Sequence, residues 1–216
     1  MIHLILADCE IELVPREIAE HPLIARRARR RGKGAEGLLL DSNFDHRAMR
    51  RLPEGNRRGR PDIAHVCLLN ALDSIPSRDG EMRTYLHTRD DIVMRIAPET
   101  RIPRSQNRFY GLMESIISRE RGTDLIGFER MDLRTLVEGL KPDTVIAFSP
   151  HGETVDLGSV MKEGREIAAI VGGFPRGEFR SPVSELADSL VSIYGTSLDA
   201  WTVVGEIICR YRTRGE

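Results

Sequence analysis

From residue 124 onward, apolar stretches of strand length alternate with stretches of helical period, and this alternation constrains the fold more than any other feature. Residues 125–128, 144–148, 167–171 and 189–194 read as strands, and residues 133–140 and 198–211 as helices. Strands alternating with helices imply an α/β fold with a largely parallel sheet. Upstream, residues 2–7 and 11–14 read as strands. Residues 21–31 read as a helix stopped by Gly32 and Gly34, and residues 38–40 as a short buried strand that runs out into polar sequence. Residues 50–60 lack periodicity and read as a loop. Pro61 opens a helix in which Ile63, Val66, Cys67, Asn70 and Ala71 recur at helical spacing. Residues 82–87 and 92–96 form a hairpin around Thr88 to Asp91. Residues 105–119 form a further helix with Phe109, Leu112, Met113, Ile116 and Ile117 on its apolar side. No internal repeat or domain boundary is visible, so residues 1–216 read as one domain.

No apolar run approaches the roughly 18 residues needed to cross a bilayer, and Met1 to Asp8 reads as a first strand, not a signal. Cys9, Cys67 and Cys209 are far apart and odd in number, which suggests neither a zinc site nor a disulfide framework. A reducing, cytoplasmic setting without metal or membrane is the expectation. The net charge of -1 seems to speak against a nucleic-acid partner. Its placement says otherwise. Lys33, Lys141 and Lys162 are the only lysines among 32 basic residues, so 29 are arginine, whose planar fork matches phosphate and stacks on bases. Codon preference accounts for such a bias equally well, but not for the clustering.

One cluster is Asn56-Arg57-Arg58-Gly59-Arg60-Pro61-Asp62, a flexible basic loop running into a helix N-terminus, where backbone N–H groups favour anions. Asp62 falls in the first helical turn and within reach of Arg60. Spacing alone fits a solvated loop as well as an anion site. A second cluster holds Arg101, Arg104 and Arg108, the last two four apart and on one face if helical. Two such stripes in a near-neutral protein favour an RNA-backbone surface as much as a solvated one. Phe109 is assigned to the core. The run Arg26 to Arg31 is either RNA-facing or a solvated helix, and is assigned to solvent.

The third feature is a pair of glycine-bearing strand ends, Val171-Gly172-Gly173-Phe174-Pro175-Arg176-Gly177 and Val191-Ser192-Ile193-Tyr194-Gly195-Thr196. Glycine lets a backbone approach a ligand closely, and ligands of open α/β sheets sit beyond the carboxyl ends of strands. The spacing departs from GxGxxG, and each segment alone also fits an ordinary structural turn.

Together these blocks resemble the ribosomal small-subunit pseudouridine N1-methyltransferases, a SPOUT-class family, in a prokaryotic (archaeal) form. The longest match runs from Leu40-Asp41-Ser42 through Arg57 to His65 and on to Leu68-Leu69-Asn70-Ala71-Leu72. A second joins Arg101-Ile102-Pro103-Arg104 to Arg108-Phe109 and Gly111-Leu112-Met113. A third joins Val171-Gly172, Gly177 and Val191 to Tyr194. The resemblance implies a trefoil-knotted SPOUT domain with the hairpin near 82–96 as a family-specific insertion, a homodimer, and S-adenosylmethionine as methyl donor. It implies that Pro150, Gly172, Gly177 and Val191, Ser192, Ile193, Tyr194, Gly195 and Thr196 hold that cofactor. RNA contacts fall on Arg60, Arg101, Arg104 and Arg108. Eukaryotic relatives carry Asn-Tyr-Pro where this chain has Ile193-Tyr194-Gly195, so contacts there are expected through the backbone.

The implied reaction is in-line methyl transfer to N1 of a pseudouridine in small-subunit ribosomal RNA, a base that must leave its stack to react. Asp62 is the candidate for assisting loss of the N1 proton. A carboxylate gripped by a guanidinium is a poor proton acceptor, so orienting Arg60 is its assigned role. Two alternatives stand beside this reading: a ribosome assembly factor in which methylation is secondary, and a SPOUT enzyme acting on tRNA.

Overall fold

The computed structural model describes residues 1–161 and 164–214. In chain order it contains β1 (Ile2–Cys9), α1 (Arg16–Ala19), α2 (Pro22–Arg31), a 3-10 turn (Ala35–Gly37), α3 (Ser42–Met49), α4 (Pro61–Leu72) and α5 (Ile75–Arg78). Then follow β2 (Met82–Thr88), β3 (Ile92–Ile96), α6 (Gln106–Arg119), β4 (Glu129–Arg130), α7 (Leu133–Leu140) and β5 (Thr144–Thr154). The chain ends with α8 (Leu157–Val160), β6 (Ile167–Gly172), α9 (Val183–Leu186), β7 (Ser189–Ser192) and α10 (Ala200–Arg212).

One seven-stranded sheet runs in the order β4-β3-β2-β1-β6-β5-β7. β2, β1, β6, β5 and β7 pair in parallel, and β3 and β4 extend one edge antiparallel. The centre of β1, Leu4 to Ala7, is a continuous apolar run because both its faces are covered. Ile2, Leu4 and Leu6 join the core that contains residues of α4, α6 and α10, while Ile5 and Ala7 face the core beneath α7 and α9. β5 and β6 alternate in the same way. The hairpin expected near 82–96 forms, with β2 inside the sheet as the parallel neighbour of β1. Thr88 Oγ1 closes its turn by accepting from the Asp90 and Ile92 N–H groups.

Local signals explain the best-placed helices. His21 Nδ1 accepts from Leu23 N, Pro22 opens α2, and Gly32 ends it at φ 60° in the left-handed region. Elsewhere the structure corrects the reading. Residues 11–14 and 38–40 share a single antiparallel bridge, Leu13 with Leu39, flanked by two backbone bonds, and are not strands. Residues 125–128 contribute one bridge, Ile126 with Ile96, because Thr123 N donates to Ile126 O and folds the segment into a tight turn. β7 stops at Ser192, whose hydroxyl donates to Tyr194 O. On α4 the buried face is Ile63, Ala64, Cys67, Leu68, Ala71 and Leu72; Val66 is exposed, and Asn70 instead donates to Trp201 O of the packed α10. The polar sequence after Leu40 forms α3, which Asp41 caps by accepting from Asn43 N.

The arginine run in α2 is not simply solvated. Arg27 donates to Leu39 O and to the buried Asp45 (2.6 Å), and Arg31 with Lys33 grips Glu114, which is 1% exposed. Among the described residues no helix is long and apolar enough to cross a membrane, and no group of three or more His, Cys, Asp or Glu side chains is placed to hold a metal ion.

Candidate active site

The carboxyl ends of β5, β6 and β7 open on one side of the sheet, and the loops leaving them converge around a cavity of about 930 Å³. Gly172 and Gly177 line it from the β6 loop, and Pro150 with Ser149 and His151 from β5. Val191, Ser192, Ile193, Tyr194, Gly195 and Thr196 line it from β7. Every residue assigned to the cofactor thus borders one space. Opposite, the start of α4 contributes Ile63 to the floor and Arg60 to the rim.

Two close approaches shape this space. β5 pairs with β7 through Ile146 to Phe148, slips register, and pairs again through Glu153 and Thr154 with Val191 and Ser192. At the slip, Gly152 lies so near β7 that a Cβ would stand 2.5 Å from Leu190 O and 2.6 Å from Val191 C. Gly177 sits at φ 84°, where side-chain-bearing residues are strained. A Cβ on Gly172 would meet the Phe174 ring at 2.6 Å.

The basic block is not the flexible loop its composition suggests. Arg57 and Arg58 point inward: Arg57 Nε donates to Glu10 (2.6 Å), and Arg58 pairs with Glu12 through two hydrogen bonds. Arg89 completes the set on Glu10 (2.6 Å), whose side chain is fully buried. Breaking such a pair typically costs about 3–5 kcal/mol, because the remaining charge is left without a partner. Burial outweighs these guanidiniums at Glu12 and pushes its carboxyl up. Gly59, at φ 65°, packs against Leu40 and Ser42 N and turns the chain so that only Arg60 reaches the cavity.

Arg60 and Asp62 form a two-bond fork: Nε to Oδ1 and Nη2 to Oδ2, both 2.8 Å. The bond to Asp62 holds the Arg60 guanidinium firmly charged. Both Asp62 oxygens accept a bond from the Arg60 guanidinium. Arg101, Arg104 and Arg108 are exposed and do not line the cavity. Arg104 precedes the Ser105 cap of α6, so it does not share a helical face with Arg108 as its spacing suggests. Their segment is pinned to α4 by the buried Ile102 and by His65, whose Nε2 lies 2.7 Å from Pro103 O while its ring stacks on Phe109. Sequence reasoning missed the side chains that complete the cavity, chiefly Ile63, Phe174, Glu178 and Trp201. Only Phe174 and Glu178, beside the glycine turn, had a signal to offer.

A parallel sheet whose last three strands feed a single glycine-lined cavity defines a class, and the comparisons agree with it. The crystal structure of Archaeoglobus fulgidus Nep1 bound to S-adenosylhomocysteine superposes with a TM-score of 0.89 at 33% identity, over 99% of each chain. The protein therefore has the α/β SPOUT methyltransferase fold. The family model described as EMG1/NEP1 methyltransferase matches residues 4–212. The ribosomal RNA small subunit methyltransferase Nep1 of Thermococcus kodakarensis is 45% identical over 98% of this chain and 97% of its own length. Its namesake from Methanothrix thermoacetophila is also 45% identical, over 98% and 95%. The chain belongs to the EMG1/NEP1 methyltransferase family.

Proposed function

We propose that this protein transfers a methyl group from S-adenosylmethionine to N1 of a pseudouridine in small-subunit ribosomal RNA, acting in the cytoplasm as a homodimer during small-subunit assembly. The observation that carries this reading is the single cavity that gathers all nine expected cofactor residues and places Arg60 at its rim. The relatives' names supply the RNA, and the ligand of the Archaeoglobus structure is what the methyl donor becomes once its methyl has gone. The cavity suits that donor. Its floor of Ile63, Phe148 and Val171 fits a purine, the strand-end backbone offers polar groups, and Glu178 and Asp199 fit a cationic centre. When bound, the cofactor supplies an electrophilic methyl group. The chain's own work is to hold the two reactants in line, with Arg60 gripping the RNA backbone under the control of Asp62. Val66, 41% exposed on α4, is apolar surface of the kind a second copy would cover.

Binding tests the reading. S-adenosylhomocysteine should bind in a calorimeter, and a small-subunit rRNA hairpin should bind more tightly than a tRNA loop; preference for the tRNA would overturn the substrate. Gly172→Val, by driving Phe174 aside, should weaken S-adenosylhomocysteine about tenfold or more, equivalent to about 1.4 kcal/mol. Unaltered cofactor affinity would remove Gly172 from the pocket. Arg104→Ala should lower RNA affinity and reduce the slope of log K against log salt by about 1. An unchanged slope would take Arg104 out of the interface.

A further inference from the structure

We infer that Arg57 is a positioning residue that couples occupancy of the cofactor cavity to the grip of Arg60 on RNA, an inference that rests on the functional reading above. Arg57 lies three residues before Arg60, yet its side chain reaches the other site. Its Nη1 donates to Glu178 O, its guanidinium covers the Phe174 ring at 4.0 Å, and a Cβ on Gly177 would stand 3.4 Å from Nη1. Phe174, Gly177 and Glu178 all line the cavity. One buried guanidinium thus touches the cofactor loop at two points, Glu178 O and the Phe174 ring, and leaves little room for a side chain at Gly177.

Its anchor serves the same two loops. Glu10, at the end of β1, takes Arg57 Nε on its carboxylate, donates its own N–H to Gly173 O (3.2 Å) and accepts Arg60 N at its carbonyl (3.0 Å). The loop bearing the cavity wall and the loop bearing Arg60 therefore hang from one residue, and Arg57 bridges them a second time through its side chain. Asp8 fixes the far end of the cavity loop, accepting from Arg180 N, Ser181 N and the Ser181 hydroxyl. With both ends held, a ligand that presses on Phe174 or Glu178 displaces the Arg57 guanidinium and, through Gly59, the Arg60 backbone. A path of this kind gives a coupling that is reciprocal: each ligand tightens the other by the same factor.

The test measures that factor in wild type and in Arg57→Lys. Lysine keeps a charge opposite Glu10, but as a point charge it cannot bond Glu178 O and cover Phe174 together. The RNA affinity of the full chain is measured with and without saturating S-adenosylhomocysteine, using a pseudouridine-containing small-subunit rRNA hairpin. In the wild type the cofactor product should tighten the hairpin about fivefold or more. In Arg57→Lys the factor should fall below about twofold, with each ligand alone bound within about threefold of wild type. A purely structural Arg57 would lower thermal stability and leave the factor intact. Phe174→Leu, which removes the covered ring without disturbing a charge, should lose the coupling too and decides the matter if the lysine variant fails to fold. A wild-type factor of one, or full coupling in the variants, would overturn the inference while leaving the methyltransferase reading standing. Failure of the wild type to bind either ligand would overturn that reading, and the inference with it.

Discussion

Gly152→Ala is expected to lower the melting temperature by about 5–10 °C, the effect of roughly 2–3 kcal/mol in a chain of this length. The added methyl would stand 2.5 Å from Leu190 O and 2.6 Å from Leu190 C and Val191 C, all of them backbone atoms of β7. No rotamer change relieves that contact. Only withdrawal of the crossing segment does, and withdrawal breaks the pairing of Glu153 and Thr154 with Val191 and Ser192. Those last two residues line the cavity, so S-adenosylhomocysteine affinity should fall about tenfold or more along with stability. Gly195→Ala is the control. A Cβ there meets nothing within 4 Å, and its melting temperature should stay within about 2 °C of wild type. Calorimetry of both variants checks the pair, and a Gly152→Ala protein with wild-type melting would mean that β5 does not pass over β7 as described.

Arg60→Ala should lower hairpin affinity by about ten- to a hundredfold, the size of one or two charge-assisted hydrogen bonds, and reduce the salt slope by about 1. The loss is compounded by Asp62, whose carboxylate, 28% exposed, would remain at the start of α4 without its cation. Asp62→Asn separates orientation from proton transfer. A general base contributes about 10²–10⁴-fold, and its removal shows at unchanged RNA affinity. A residue that aims Arg60 should instead cost about tenfold in kcat/KM with a parallel loss of RNA affinity. Measured kcat, KM and hairpin binding distinguish these outcomes. A thousandfold fall in kcat with intact binding would make Asp62 the base after all.

The parallel sheet was legible because strands covered on both faces become continuous apolar runs, and α2 and α4 because His21, Pro22, Gly32 and Pro61 punctuate them. The cavity loops after β6 and β7 were legible as glycine turns at strand ends, and the Pro150 segment of β5 only through the resemblance. What stayed hidden was long-range pairing. Arg57, Arg58 and Arg31 look alike in sequence to Arg104 and Arg108, yet their carboxylate partners lie 46 to 83 positions away. Glu10 and Glu12 alternate with Ile11 as a solvent-facing strand edge would, but they are 0% and 4% exposed because Arg57, Arg58 and Arg89 pair with them in the interior. Gly152 gave no warning either, since its constraint comes from β7, almost forty residues further on.

The central claim is chemical, and nucleoside analysis by mass spectrometry after methyl transfer tests it most directly. The protein is incubated with isotopically labelled S-adenosylmethionine and a small-subunit rRNA hairpin carrying either pseudouridine or uridine at the same position, and the RNA is digested. The expected result is label in N1-methylpseudouridine from the first hairpin and none from the second. Label on another base or on ribose, equal labelling of the uridine hairpin, or tight hairpin binding with no transfer at all would contradict the account.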